Sequence, residues 1–227
     1  DGISMRTACS NVTIQNNIIT DIPGATYSNG SRSAGNGINV QIGSGSMSNL
    51  DILDNKITAI SAVSATDRET AVAVQFLISE TSLTDVDIQN NVIADVTTEG
   101  TAQATRTRGI LFDVNDSNSD LTDDVVDDIR IENNDIRNLM PADKTGASAT
   151  AIALYENHSG TKARQGPTNF KILNNVIDNL DAPDAAKASL FVGGYEDLGN
   201  NHKISSNKFL DGAVARYAGS QDGFVLS

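Results

Sequence analysis

The side chains best suited to chemistry are Gln75, Asp113, Tyr155, Asn157, His158 and Tyr195, with Glu156 set among them. Carboxylates, aromatic rings and amides are what a sugar needs, since its hydroxyls want paired donors and acceptors and its ring face stacks on Tyr. An ordinary solvated strand face would carry the same residue types. Catalysis would ask more of them. Glycoside hydrolysis needs two carboxylates at a set separation, and elimination needs a base beside a group that neutralises charge. Asp113 and Glu156 are the weak catalytic candidates, because they fall one repeat apart and could face each other. His158 and His202 are the chain's two histidines, and His202 reads as a core substitution. A second cluster lies at 113–128, with seven Asp in sixteen residues, among them Asp116, Asp120, Asp123 and Asp124. Oxygen-rich loops of this kind can bind calcium, but the spacing matches no EF-hand and no nonapeptide calcium repeat, and a solvated acidic loop is the better account. No cofactor is required by any motif; calcium is the ion such a loop would take.

The elements that position these residues come from a repeat. A twelve-residue pattern recurs six times: NVTIQNNIITDI from Asn11, NLDILDNKITAI from Asn49, DVDIQNNVIADV from Asp85, DIRIENNDIRNL from Asp128, NFKILNNVIDNL from Asn169 and NHKISSNKFLDG from Asn201. Start-to-start spacings are 38, 36, 43, 41 and 32 residues. A short fixed unit between segments of varying length suits a coil of strands with loops that bulge outward, and not packed helix pairs. Within each unit the apolar residues alternate at period two, interrupted once by a polar pair, which predicts two short strands and a tight bend. One column, Ile14, Ile52, Ile88, Ile131, Ile172 and Ile204, is Ile in every copy.

The bend carries Asn17, Asn55, Asn91, Asn134, Asn175 and Asn207. Asn tolerates the left-handed backbone of a sharp corner, and amides stacked at strand spacing can bond to one another. These six are expected to form a structural ladder. A third strand between units has the form small-apolar-x-apolar: Gly2-Ile3-Ser4-Met5, Gly37-Ile38-Asn39-Val40, Ala71-Val72-Ala73-Val74, Gly109-Ile110-Leu111-Phe112, Ala151-Ile152-Ala153-Leu154 and Ser189-Leu190-Phe191-Val192. In this register the outward positions run Arg6, Gln41, Gln75, Asp113, Tyr155 and Gly193.

Three strands per turn predict an all-β fold, a right-handed parallel β-helix solenoid of about six coils with an Asn ladder at one bend. On these columns the whole chain resembles the pectate-lyase-like superfamily of solenoids. That resemblance implies a polysaccharide held on the outer face of the third-type strands. Family motifs that would point to catalysis, Gly-His-Gly, Arg-Ile-Lys and Asp-Pro-His-Glu, do not occur. Three readings follow: a structural scaffold with glycan binding, a polysaccharide lyase or hydrolase using Asp113 and Glu156, and a self-assembling fibre subunit.

Composition bounds these readings. The 227 residues read as a single β-helix domain, 1–227, and only 4% are aromatic, as small β-branched core layers require. A net charge of −13 speaks against nucleic acid and anionic membranes, and no apolar run is long enough to span a bilayer. Cys9 stands alone, so no intrachain disulfide forms. Acidity together with the resemblance predicts a secreted or cell-surface protein. Asp1-Gly2-Ile3 reads as a mid-coil start, so a further chain or a second copy is expected against the N-terminal coil. Residues 213–227 are expected to form a partial coil and cap.

Overall fold

The computed structural model describes residues 1–26, 32–63, 68–79, 81–99, 104–114, 125–142, 147–156, 168–182, 187–197, 201–210, 216–220 and 224–226. Among these residues every regular element is a strand. The strands stack into three parallel sheets, and the chain visits each sheet once per turn. The first sheet holds Ile3–Met5, Arg32–Ile42, Arg68–Ile78, Ala104–Val114, Ser148–Glu156, Lys187–Asp197 and Arg216–Ser220, with Ala25–Thr26 antiparallel to the second of these. The second holds Ser10–Gln15, Gly45–Leu53, Thr81–Gln89, Val125–Glu132, Lys171–Leu173, His202–Ser205 and Phe224–Leu226. The third holds Ile18–Ile19, Lys56–Ala62, Val92–Thr98, Asp135–Pro141, Val176–Leu180 and Lys208–Phe209. This is a parallel β-helix of about six rungs, as the repeat predicts.

The core is built from columns of like residues. Ile14, Ile52, Ile88, Ile131, Ile172 and Ile204 stack in register along the second sheet. Ile19, Ile57, Ile93, Ile136 and Ile177 do the same along the third. All of them are buried. The first sheet contributes Phe76 and Phe112, stacked with ring centroids 4.3 Å apart and planes 3° from parallel. Phe170 meets Phe112 edge-on at 5.8 Å. His202 takes the next position of the Phe170 column and is itself buried, with its ring 6.3 Å from that of Phe170.

Each of the first five twelve-residue units turns three times, at its first, sixth and eleventh residues. In the unit from Asn11 these are Asn11, Asn16 and Asp21, with φ of 58°, 57° and 55°. The same three places are left-handed in the next four units, and the residues there are Asn or Asp at every place except Ala59. Their short polar side chains make this backbone less costly than it is for most residues. The left-handed residue at the middle corner is therefore Asn16, Asp54, Asn90, Asn133, Asn174 or Ser206, the one before the ladder Asn. The expectation that the ladder residue itself adopts this conformation is corrected. The polar pair divides the work: its first member turns the chain and its second bonds along the stack.

The ladder is continuous. Asn17 Nδ2 donates to Asn55 Oδ1 at 3.0 Å, Asn55 to Asn91 at 3.1 Å, Asn91 to Asn134 at 3.0 Å, Asn134 to Asn175 at 3.0 Å and Asn175 to Asn207 at 2.9 Å. The second proton of each interior amide goes to the carbonyl of the Ile column one rung back, as from Asn134 to Ile88 O at 2.9 Å. Each acceptor oxygen also takes the backbone N–H of the preceding Asn, as Asn134 Oδ1 does from Asn91 at 2.9 Å. Asn55, Asn91, Asn134 and Asn175 are buried with donors and acceptor all used, so no desolvation penalty is left uncompensated.

Candidate functional site

The outer face of the first sheet has a bend in it. Cross-strand pairing omits one residue per rung, at the level of Gly37, Ala73, Gly109 and Ala151. At Gly109 the neighbouring rung comes so close that a Cβ would lie 2.5 Å from the Ala151 carbonyl oxygen. Strand alternation is reset there, and residues on both sides of the bend emerge on the outer side. Val72, Leu111 and Ala153 meet across it in a small apolar cluster separate from the main core.

Arg106 and Arg108 lie before the bend and Asp113 after it. Two-residue spacing puts both arginines on one face of the strand. Arg108 is anchored: its Nη1 donates to Thr107 O at 3.1 Å, Ser148 Oγ at 3.2 Å and Ser148 O at 3.4 Å. Arg106 is exposed. Burial pushes the Asp113 carboxyl above the ordinary aspartate value of 3.8, while the charges of Arg106 and Arg108 pull it back in part. Asp113 Oδ1 is buried and has no hydrogen-bond partner among the described residues. Toward the start of the chain the same face carries Asn36 and Asn39, whose Nδ2 groups donate to the two carboxylate oxygens of Asp1 at 3.1 and 3.2 Å.

Because burial raises this pKa, the folded protein holds the Asp113 proton more tightly than the unfolded chain does. Its contribution to stability is complete below about pH 3.8 and is lost as pH rises through the folded-state value. Asp113→Asn, which cannot ionise, should therefore raise the melting temperature at pH near 7, and the gain should shrink to nothing in acid. Thermal melts of both proteins across that range test this; a wild type more stable than the variant at neutral pH would contradict it.

The register changes the expected outward column. Asp113 lies between Leu77 and Tyr155, and Gln75 lies between Asn39 and Leu111. Gln75 is thus two residues out of the Asp113 column, and the third-copy strand aligns as Ala73-Val74-Gln75-Phe76 rather than Ala71-Val72-Ala73-Val74. The reason is a degeneracy: both quartets are small-apolar-x-apolar, and a two-residue shift keeps every side chain on its own face. Arg6 falls just past the strand Ile3–Met5. Glu156 is opposite Val114 and Tyr155 is opposite Asp113, so Asp113 and Glu156 are not cross-strand partners. Tyr195 is in the strand Lys187–Asp197. Asn157, His158, Asp116, Asp120, Asp123 and Asp124 lie outside the described residues. Among the described residues no three His, Cys, Asp or Glu side chains group as metal ligands would.

The pair Arg106 and Arg108 is absent from the candidates drawn from the sequence. The signal was present in Arg106-Thr107-Arg108, since period-two alternation puts the outer two residues on one face. Compared with protein-family models, with curated proteins and with solved structures, the chain matches none.

Proposed function

We propose that this chain is a polysaccharide-binding β-helix module of a secreted or cell-surface protein, a scaffold of the pectate-lyase-like kind that holds a glycan on the outer face of its first sheet. The observation that carries this reading is the half-buried Asp113 carboxylate placed with Arg106 and Arg108 around the bend. A carboxylate accepts from sugar hydroxyls, and guanidinium groups donate to them. Glycan panel screening of wild type and Arg106→Gln tests it. At least one polysaccharide should be retained by the wild type and lost by the variant. Retention of none, or equal retention by both proteins, would overturn the reading.

A second reading, polysaccharide cleavage, is favoured by the same carboxyl: an acid with a raised pKa beside two cations can carry a proton. Mass analysis of incubated glycan separates the two. Hydrolysis adds water at each cut, elimination leaves an unsaturated end, and a binding scaffold returns the glycan whole.

A further inference from the structure

We infer that Asp113 sets the charge of this outer patch by taking up a proton, so that a glycan carrying carboxylate or sulfate-ester groups is held by Arg106 more tightly in acid than at neutral pH. This rests on the glycan-binding reading above and adds its regulation.

The geometry supplies the elements of the switch. Asp113 is on the same outer face as both arginines, and one of its oxygens is buried without a hydrogen-bond partner among the described residues. Nothing described there would resist protonation by bonding to that oxygen. The two cations differ in freedom. Arg108 is tied by Nη1 to Thr107 and Ser148, whereas Arg106 is exposed and makes no hydrogen bond or ion pair among the described residues. Arg106 is therefore the guanidinium able to turn to a ligand.

Among the described residues, other charged groups around Asp113 are few. On the strand Arg68–Ile78 its register partner is Leu77, and Arg68 and Glu69 sit at the far end. On Ser148–Glu156 its partner is Tyr155, followed by Glu156. The third-sheet strands packed behind turn Ile93, Val96, Ile136 and Leu139 inward, and Asp135 pairs with Arg137 at 3.3 Å away from the core. Asp95 is exposed at a corner of that sheet. With Asp113 ionised, the patch offers an anion two guanidiniums offset by one carboxylate; with Asp113 protonated, the offset is gone and an O–H donor takes its place. The low dielectric of a partly buried site makes that change felt by a neighbouring ligand.

Dextran sulfate is the probe, because its sulfate esters stay ionised throughout the range and any pH dependence comes from the protein. Affinity is measured by calorimetry at about pH 4, near the ordinary carboxyl value, and at about pH 7.5, well above it. Wild-type affinity should rise about tenfold in acid, the size of effect expected for one nearby charge. Asp113→Asn should bind at neutral pH as the wild type does in acid, with most of the pH dependence lost. Asp51→Asn, on the second sheet, should keep the wild-type slope, and Arg106→Gln should bind weakly at both values. A wild-type slope in Asp113→Asn, or full affinity in Arg106→Gln, would overturn the inference. A neutral glycan retained by the wild type and lost by Arg106→Gln, with no pH-dependent gain for dextran sulfate, overturns it and leaves glycan binding standing. Retention of no glycan at either pH overturns both.

Discussion

Ile131→Asp should abolish cooperative folding of the central rungs, with loss of the β-sheet circular dichroism signal and of a resolvable melting transition near neutral pH. Ile131 is 0% exposed and sits in register between Ile88 and Ile172. Its own carbonyl accepts the Asn175 amide at 2.9 Å, so the residue belongs at once to the apolar column and to the ladder. Replacing it forfeits about 2–3 kcal/mol of apolar burial and leaves a carboxyl without a partner, at a cost of several kcal/mol more. A domain has only about 5–15 kcal/mol in total. The position magnifies the effect, because a solenoid rung contacts mainly its two neighbours and a broken middle rung separates the stack into two short pieces. Ile131→Val should cost only about 0.5–1.5 kcal/mol. Ile18→Asp should cost within about 0.5 kcal/mol, since Ile18 is 75% exposed on the outer side of the third sheet. An Ile131→Asp protein that keeps the wild-type melting temperature would remove the column from the core.

The core was legible in the sequence because its two signals repeat together. Alternation fixes which residues face inward, and six copies of one spacing fix which residues stack; Ile131 could be placed from these alone. The corners were half legible. The polar pair marked the turn, yet Asn-Asn in the first, third, fourth and fifth copies gives no sign of which Asn turns and which bonds. Backbone angles assign the turn to the first of the pair. The first sheet was legible in face but not in register at Gln75, because a period-two pattern is unchanged by a two-residue slip. There the stacking of Phe76 on Phe112, two residues beyond the expected quartet, decides the alignment. The outer patch was least legible. It depends on the bend at Gly109, which resets alternation and brings Arg108 and Leu111 to the same side, and no periodicity announces a break in itself.

Asn134→Ala should cost roughly 3–5 kcal/mol, and Asn138→Ala clearly less, although each residue is an Asn bonded to both neighbouring rungs. Asn138 Nδ2 donates to Asp95 Oδ1 at 2.8 Å, and its Oδ1 accepts from Asn179 at 2.8 Å. Those bonds are exposed, and water can replace them when the amide is removed. Asn134 is 1% exposed, and its loss orphans groups that water cannot reach: the Asn91 N–H, the Asn91 amide and the Ile88 carbonyl. A buried polar group left without its partner costs about 1–3 kcal/mol, so several orphaned together outweigh the one missing side chain. Asn138 also holds a left-handed backbone at φ 55°, where Ala is strained by roughly 1 kcal/mol, so its own variant is not neutral. Asn134→Asp distinguishes bonding from shape. It fills the same space but cannot donate to Ile88 O or Asn175 Oδ1 while ionised, and should therefore destabilise at neutral pH about as much as Ala does. Paired denaturant melts of the three variants give the order. Equal costs for Asn134→Ala and Asn138→Ala would mean that burial does not decide the worth of these amides, and that the inner ladder stabilises the coil no more than the outer one.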